Sequence, residues 1–382
     1  MDVVHRCCAG LDVHKATVVA CVRRVGPDGA AEAQVRTFGT MTAALLELAD
    51  WLAAAGVTHV AMESTGVYWR PVYAVLEGLF VPLVVNAHRI KHVPGRKTDV
   101  KDAEWLAQLL QYGLLTASLV PPRPVRELRD LTRQRAQLVA DRARVVNRVQ
   151  KVLESANVKL ACVATDVLGA SGRAMIAALI AGQTDPAALA ELARGRLRGK
   201  RAELRLALRG QVTDHHRFQL AALLDQEAHL EGQIARYEAR IAAVVAPFAQ
   251  AAARLRQVPG VGPRAAEVLV AELGTDMAKF PSAGHLASWA GVCPGNDRSA
   301  GKRRSGKTTK GSRWLRSTLV QVAWAAARTK GTVFQAAYRR WSRRLGAKKA
   351  LVAVGHKVLT VIYAMLKDRT DYRERGAPGL AA

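Results

Sequence analysis

The run CCAGLDVHKATVVACV, residues 7–22, sets the architecture of the N-terminal third. Two apolar, β-branched stretches meet at His14-Lys15, the pattern of a hairpin. A single acid, Asp12, interrupts the first stretch. A carboxylate inside an apolar strand is costly unless it leaves the core or binds something. Working outward, EAQVRTF (32–38) alternates and predicts a third strand. MTAALLELADWLAAA (41–55) has apolar residues at helical spacing, and Gly56 closes it. VTHVAME (57–63) reads as a buried strand, VYWRPVYAVLEGL (67–79) as a helix and VPLVVN (81–86) as a fifth strand. After a basic loop, TDVKDAEWLAQLLQYG (98–113) reads as a helix with Thr98 as its N-cap. The order β-β-β-α-β-α-β-α predicts a mixed sheet flanked by helices.

With 382 residues the chain exceeds one typical core, and two or three domains are expected. The formal net charge of +26 points to a polyanion, nucleic acid first. From Arg298 to Lys367 there are 18 Lys and Arg and no acid. This block is interleaved with Leu315, Leu319, Phe334 and Tyr338, so it should fold. Trp314, Trp324 and Trp341 are expected in its core. Five cysteines (Cys7, Cys8, Cys21, Cys162 and Cys293) contain no CxxC pair, which argues against a disulfide framework or structural zinc. The N-terminus does not read as a signal peptide, and no uninterrupted apolar run is long enough to span a membrane. The expectation is a cytoplasmic protein without a membrane partner.

PPRP (121–124) marks a boundary. Beyond it, residues 125–158 read as one long helix with Leu131, Leu138, Val145 and Val152 every seventh residue. Residues 217–248 repeat the pattern through Leu223, Leu230, Tyr237 and Val244. Such heptads predict a coiled coil or an antiparallel helix pair. LRQVPGVGPRAAEVLVAEL (255–273) carries a helix-hairpin-helix signature. Its Gly260-Val261-Gly262 turn would let backbone N–H groups face a phosphate without reading sequence. The expected domains are 1–124, an α/β mixed sheet; 125–250, helical; 251–367, small and mainly helical; and a tail, 368–382.

Four acids stand out. Asp12 lies in the first strand, Glu63 ends the fourth, and Asp99 and Asp102 share a helix face at i,i+3. Taken singly, each fits an ordinary surface acid. Should the first and fourth strands be neighbours with the last helix across them, all four converge. Converging carboxylates need cations, and hard oxygen donors suit Mg²⁺ or Mn²⁺. Two such ions serve phosphodiester chemistry. Arg96 and Lys97 precede the acids where a phosphate backbone would enter. His88 and His92 lie in the same basic loop and fit a metal site poorly.

GLDVHKA, MESTGVYW, GRKTDVKDAEWLA, VPGVGP and SAGKRRSGKTTKGSRWLR, taken in order from about residue 7 to 366, together resemble DEDD transposases of bacterial insertion sequences, the IS-one-ten family. The resemblance implies an RNase H/RuvC-like catalytic domain (1–124), a coiled-coil insertion and a C-terminal transposase domain with a helix-hairpin-helix. It implies that Asp12, Glu63, Asp99 and Asp102 hold Mg²⁺. It further implies a serine nucleophile that links covalently to DNA, and a bridge RNA that selects donor and target DNA. The family's Ser-Gly motif falls on RSAGKRR, which makes Ser299 the candidate. Ala300 departs from the usual Gly, and this leaves Ser305, in RSGK, as a rival. A hydroxyl needs activation to attack phosphorus, and Lys302, Arg303 and Arg304 would hold the phosphate. Lys307, Lys310 and Arg313, with Gly260 and Gly262, complete the expected nucleic-acid contacts. The heptads suggest a homo-oligomer, dimer or tetramer, whose protomers share the site. The competing readings are a RuvC-like structure-specific endonuclease, which needs no serine, and a non-catalytic nucleic-acid scaffold.

Overall fold

β1 (Cys7–Val13) and β2 (Thr17–Val25) pair antiparallel, and β2 pairs antiparallel with β3 (Ala31–Gly39). Helix α1 (Thr42–Ala54) then returns the chain to β4 (His59–Glu63), which lies parallel to β1. Helix α2 (Trp69–Leu76) crosses over to β5 (Val81–Val85), parallel to β4. The sheet order is β3-β2-β1-β4-β5, so the acid-bearing strands β1 and β4 are central neighbours. The structure is a computed structural model. It describes residues 2–26, 29–64, 66–86, 102–294, 297–299, 302–305, 307–308 and 310–374, with 297–299 and 302–305 as backbone alone. The chain forms two compact units, Met1–Val120 and Pro121–Ala382.

In the first unit, strand alternation sorts side chains onto two unlike faces. One face presents Leu11, Val18, Val60 and Met62 to Leu48 and Leu52 of α1 and to Val72 and Leu76 of α2. The other presents small residues, Cys8, Gly10, Cys21 and Ala61, to α3 (Asp102–Gln111). Small side chains there let the helix lie almost on the backbone of β1. A Cβ at Gly10 would stand 2.3 Å from the Ala103 carbonyl oxygen and 2.4 Å from the Ala107 nitrogen. The edge strand β3 is exposed along most of its length and carries Glu32, Gln34 and Arg36, polar chemistry that discourages edge-to-edge pairing. Thr98, the expected cap of α3, lies outside the described residues.

The second unit opens with α4 (Arg123–Ser155), a helix of 33 residues with Pro124 in its first turn. Shorter helices follow, among them α5 (Ala170–Ile180), before α6 (Asp214–Val245). α4 and α6 lie antiparallel within the one chain: Arg142 meets Glu227 and Glu231, while Ala156 accepts a hydrogen bond from the Gln211 backbone. Glu227 is fully buried and held between Arg142 (2.6 Å) and Arg173 (2.8 Å).

Next come α7 (Ala249–Leu255), α8 (Pro263–Leu273), α9 (Ala283–Trp289) and a two-stranded hairpin, β6 (Asp297–Ser299) with β7 (Lys302–Ser305). Helices α10 (Arg313–Ala326), α11 (Val333–Leu345) and α12 (Ala347–Asp368) complete it. By length and composition α12 could cross a membrane, but 56% of its most apolar window is buried in the unit, where Val354, Val358 and Ile362 are fully enclosed. From Arg313 on, the basic block is therefore folded into helices. One expectation fails: none of the three tryptophans is fully in the core, since Trp314 and Trp341 are half-buried and Trp324 is 45% exposed. The Trp324 ring carries the Arg328 guanidinium at 3.9 Å, a cation–π contact that lets both stay at the surface.

Candidate active site

The β1–β4 register runs to Leu11 opposite Met62. One residue on stand Asp12 and Glu63, so the two carboxylates leave adjacent strands on the same face. By alternation that face is the one bearing Cys8, Gly10 and Ala61, which α3 covers. Cys8 faces Ala107 and Leu110, while Gly10 faces Ala103. The N-terminal turn of α3, starting at Asp102, therefore lies toward the Asp12 end of β1. Three of the four candidate acids are brought to one edge of the sheet. The fourth, Asp99, lies outside the described residues, as do Arg96, Lys97, His88 and His92.

Asp12 is not bare. His14 Nε2 lies 3.0 Å from Asp12 Oδ2, a hydrogen bond donated by an imidazole two residues on. The Asp12 side chain is 23% exposed and that of His14 59%. His14 is a neighbour that sequence reading missed, although the i,i+2 spacing in GLDVH put it within reach. Among the described residues, no three His, Cys, Asp or Glu side chains form a metal-holding group. The donors at this edge are nevertheless carboxylate oxygens, the chemistry of a hard cation. The nearby thiols do not compete. Burial pushes Cys8 up to about 12 and Cys21 up to about 11, so both stay protonated under α3 as packing groups.

In the second unit, the hairpin separates the two candidate serines. Ser299 is the last residue of β6 and pairs with Lys302, at the closed end. Ser305 pairs with Asp297 at the open end, where a further bridge joins Pro294 to Thr308. The chain leaving the hairpin is firmly held. Gly311 presses on the end of α9, where a Cβ would meet the Ala290 carbonyl at 2.4 Å. Ser312 caps α10 by accepting the Leu315 N–H, and its hydroxyl donates to Glu272 Oε2 at 2.8 Å. Glu272 is 1% exposed and takes two parallel hydrogen bonds from Arg133 of α4, at 2.7 and 2.9 Å. Arg129 donates to the Ala271 and Glu272 carbonyls. A buried acid thus ties the long helix to the end of the hairpin segment. Glu272→Ala removes the partner of a guanidinium and of a cap, and is expected to cost about 3–5 kcal/mol in urea unfolding.

Gly260 is glycine for two local reasons. Its φ is +87°, and a Cβ would lie 2.5 Å from the Val322 carbonyl of α10. The α7–α8 turn is therefore packed against α10 at this residue. Gly262, the N-cap of α8, has open space where a Cβ would stand. Lys307, Lys310 and Arg313 are exposed around the start of α10, and Arg313 lies over the Trp314 ring at 4.4 Å. Lys302, Arg303 and Arg304 run along β7.

A mixed five-stranded sheet with acids at the ends of its central strands fits the α/β fold of RNase H-like enzymes. A family model described as a transposase, of the DEDD type named for IS110, matches residues 9–158. A second, described as the transposase IS116/IS110/IS902 family, matches residues 252–339. An insertion element IS116 protein of 44.8 kDa from Streptomyces clavuligerus is 28% identical over 324 residues, 76% of this chain and 79% of that protein. An insertion element IS110 protein of 43.6 kDa from Streptomyces coelicolor is 32% identical over 164 residues, 42% of this chain and 38% of that protein. A pilin gene-inverting protein from Moraxella bovis is 30% identical over 127 residues, 32% of this chain and 39% of that protein. This chain belongs to the IS116/IS110/IS902 transposase family, a family of DNA transposases and recombinases.

Proposed function

We propose that the protein cuts and rejoins DNA strands for an insertion sequence, with a divalent cation held by Asp12, Glu63, Asp99 and Asp102 and with Ser299 as nucleophile. The observation that carries the reading is the adjacency of Asp12 and Glu63 on parallel central strands, with the first turn of α3 beside them. Likeness to a protein named for inverting a pilin gene agrees with DNA rearrangement as the outcome. When bound, magnesium or manganese supplies neutralisation of the charge that builds on phosphate oxygens. Two ions suit an in-line displacement, in which both the attacking and the leaving oxygen need support.

The chain's own groups do the rest. Asp12 and Glu63 present oxygens from a rigid sheet, and His14 orients the Asp12 carboxylate. Ser299 Oγ loses its proton and bonds to phosphorus as one P–O ester bond of the DNA breaks, freeing a DNA hydroxyl. A hydroxyl of the recipient strand then displaces the serine, so the count of phosphodiester bonds is conserved. Lys302, Arg303 and Arg304 hold the phosphate meanwhile. DNA enters as donor and target, and a bridge RNA chooses between sequences by base pairing while the protein contacts backbone and shape. The protein works as a homo-oligomer in the bacterial cytoplasm, at the nucleoid.

The test combines purified protein, supercoiled DNA, magnesium and RNA transcribed from the flanks of the gene. Joined products that need both metal and RNA support the reading. Hydrolytic cleavage without joining would instead support a junction nuclease, and binding without cleavage a scaffold.

A further inference from the structure

α12 begins with Lys348 and Lys349, both exposed in its first turn. They rim a groove of about 960 Å³ whose other cations are Arg316 of α10 and Lys307. Its walls are apolar, from Pro294, Leu345 and Val352 among others. Pro294 and Thr308, which bridge at the open end of the β6–β7 hairpin, also line it, so the groove continues from the hairpin's root.

The sequence holds no acid from Arg298 to Lys367. Among the described residues, no ion pair involves Arg316, Lys348 or Lys349. A helix's first turn favours acids, so two lysines there are set against the helix dipole, an arrangement that a bound anion would relieve. A groove lined by cations of one sign focuses the field and concentrates a polyanion at it.

The apolar walls narrow the class. A duplex shows a convex row of phosphates with its bases shut inside, and would leave these walls unused. An unpaired strand offers sugars and base faces as well as phosphates. We propose that this groove holds an unpaired DNA strand leading to the hairpin. The proposal rests on the reading that the hairpin serine acts on DNA.

The experiment is fluorescence anisotropy of the full-length protein with labelled single-stranded DNA in EDTA, across a range of salt. The variant carries Arg316→Gln, Lys348→Gln and Lys349→Gln together. Each phosphate that goes unneutralised should reduce the salt slope of log K by about 0.7, so the slope of the triple variant should fall by about 2. Affinity should drop at least roughly tenfold near physiological salt, and by the same factor on every sequence, as expected for cations that meet phosphates. A charge-keeping variant, Arg316→Lys with Lys348→Arg and Lys349→Arg, should bind as wild type does, and all three proteins should give the same thermal melt. An unchanged slope on single-stranded DNA overturns the proposal. So does an equal loss on duplex DNA or on single-stranded RNA of the same sequence. Because the measurement excludes metal and cleavage, it is independent of catalysis. A protein that binds through the groove yet never joins DNA would sink the transposition reading alone, and a joining protein with an unchanged slope would sink the groove alone.

Discussion

Asp12→Asn is expected to abolish magnesium-dependent joining of DNA while leaving the fold and metal-free DNA binding in place. Asparagine keeps the size of the side chain and an oxygen for the His14 hydrogen bond, but it discards the negative charge. Support by a bound cation is worth several kcal/mol in phosphoryl chemistry, and about 4 kcal/mol corresponds to roughly a thousandfold in rate. Glu63→Gln should behave alike, since Glu63 stands beside Asp12 on the neighbouring strand. The measurement is product formed per unit time with supercoiled DNA at saturating magnesium. A loss below about tenfold in Asp12→Asn would place the cation elsewhere.

Gly10→Ala tests the other half of the site, the seat of α3. Its new methyl group would lie 2.3 Å from the Ala103 oxygen and 2.9 Å from the Leu106 Cβ. Backbone blocks it on two sides, so no side-chain rotation makes room. Either α3 lifts from the sheet or β1 bends, and Cys8, Ala61 and Leu110 lose their packing either way. Overpacking of a core costs about 1–3 kcal/mol and sometimes more; with backbone as the obstacle the upper end is expected. Thermal unfolding of the first unit should shift down accordingly, and amide exchange in α3 should rise before exchange in β1. Joining activity should fall with it, because Asp102 rides on α3. A melting temperature equal to wild type would show that α3 does not sit as described.

The strand and helix order of the first unit was legible because period-two and helical spacing alternate cleanly through residue 86. Adjacency of Asp12 and Glu63 needed more: the register of β1 on β4, which no pattern encodes. Gly10 read as an ordinary strand residue until α3 was seen against it. The Arg133–Glu272–Ser312 network joins positions 139 and 40 residues apart, and its only trace in the sequence is one acid near the end of the apolar run VLVAEL, the second acid of α8 after Glu267. The heptads of α4 and α6 announced a partner but not its source, which proves to include the same chain. Trp324 misled because its place among the apolar residues interleaved through the basic block suggested core, whereas Arg328 four residues on gives the ring a surface role.

The central claim, that the hairpin serine attacks DNA with the acids of the sheet in support, is met most directly by trapping. Wild type, Ser299→Ala, Ser305→Ala and Asp12→Asn would each be incubated with magnesium, RNA and radiolabelled DNA, then resolved under denaturing conditions. The account predicts a covalent protein–DNA band for wild type and Ser305→Ala, and none for Ser299→Ala or Asp12→Asn. A band of undiminished intensity in Ser299→Ala would contradict it.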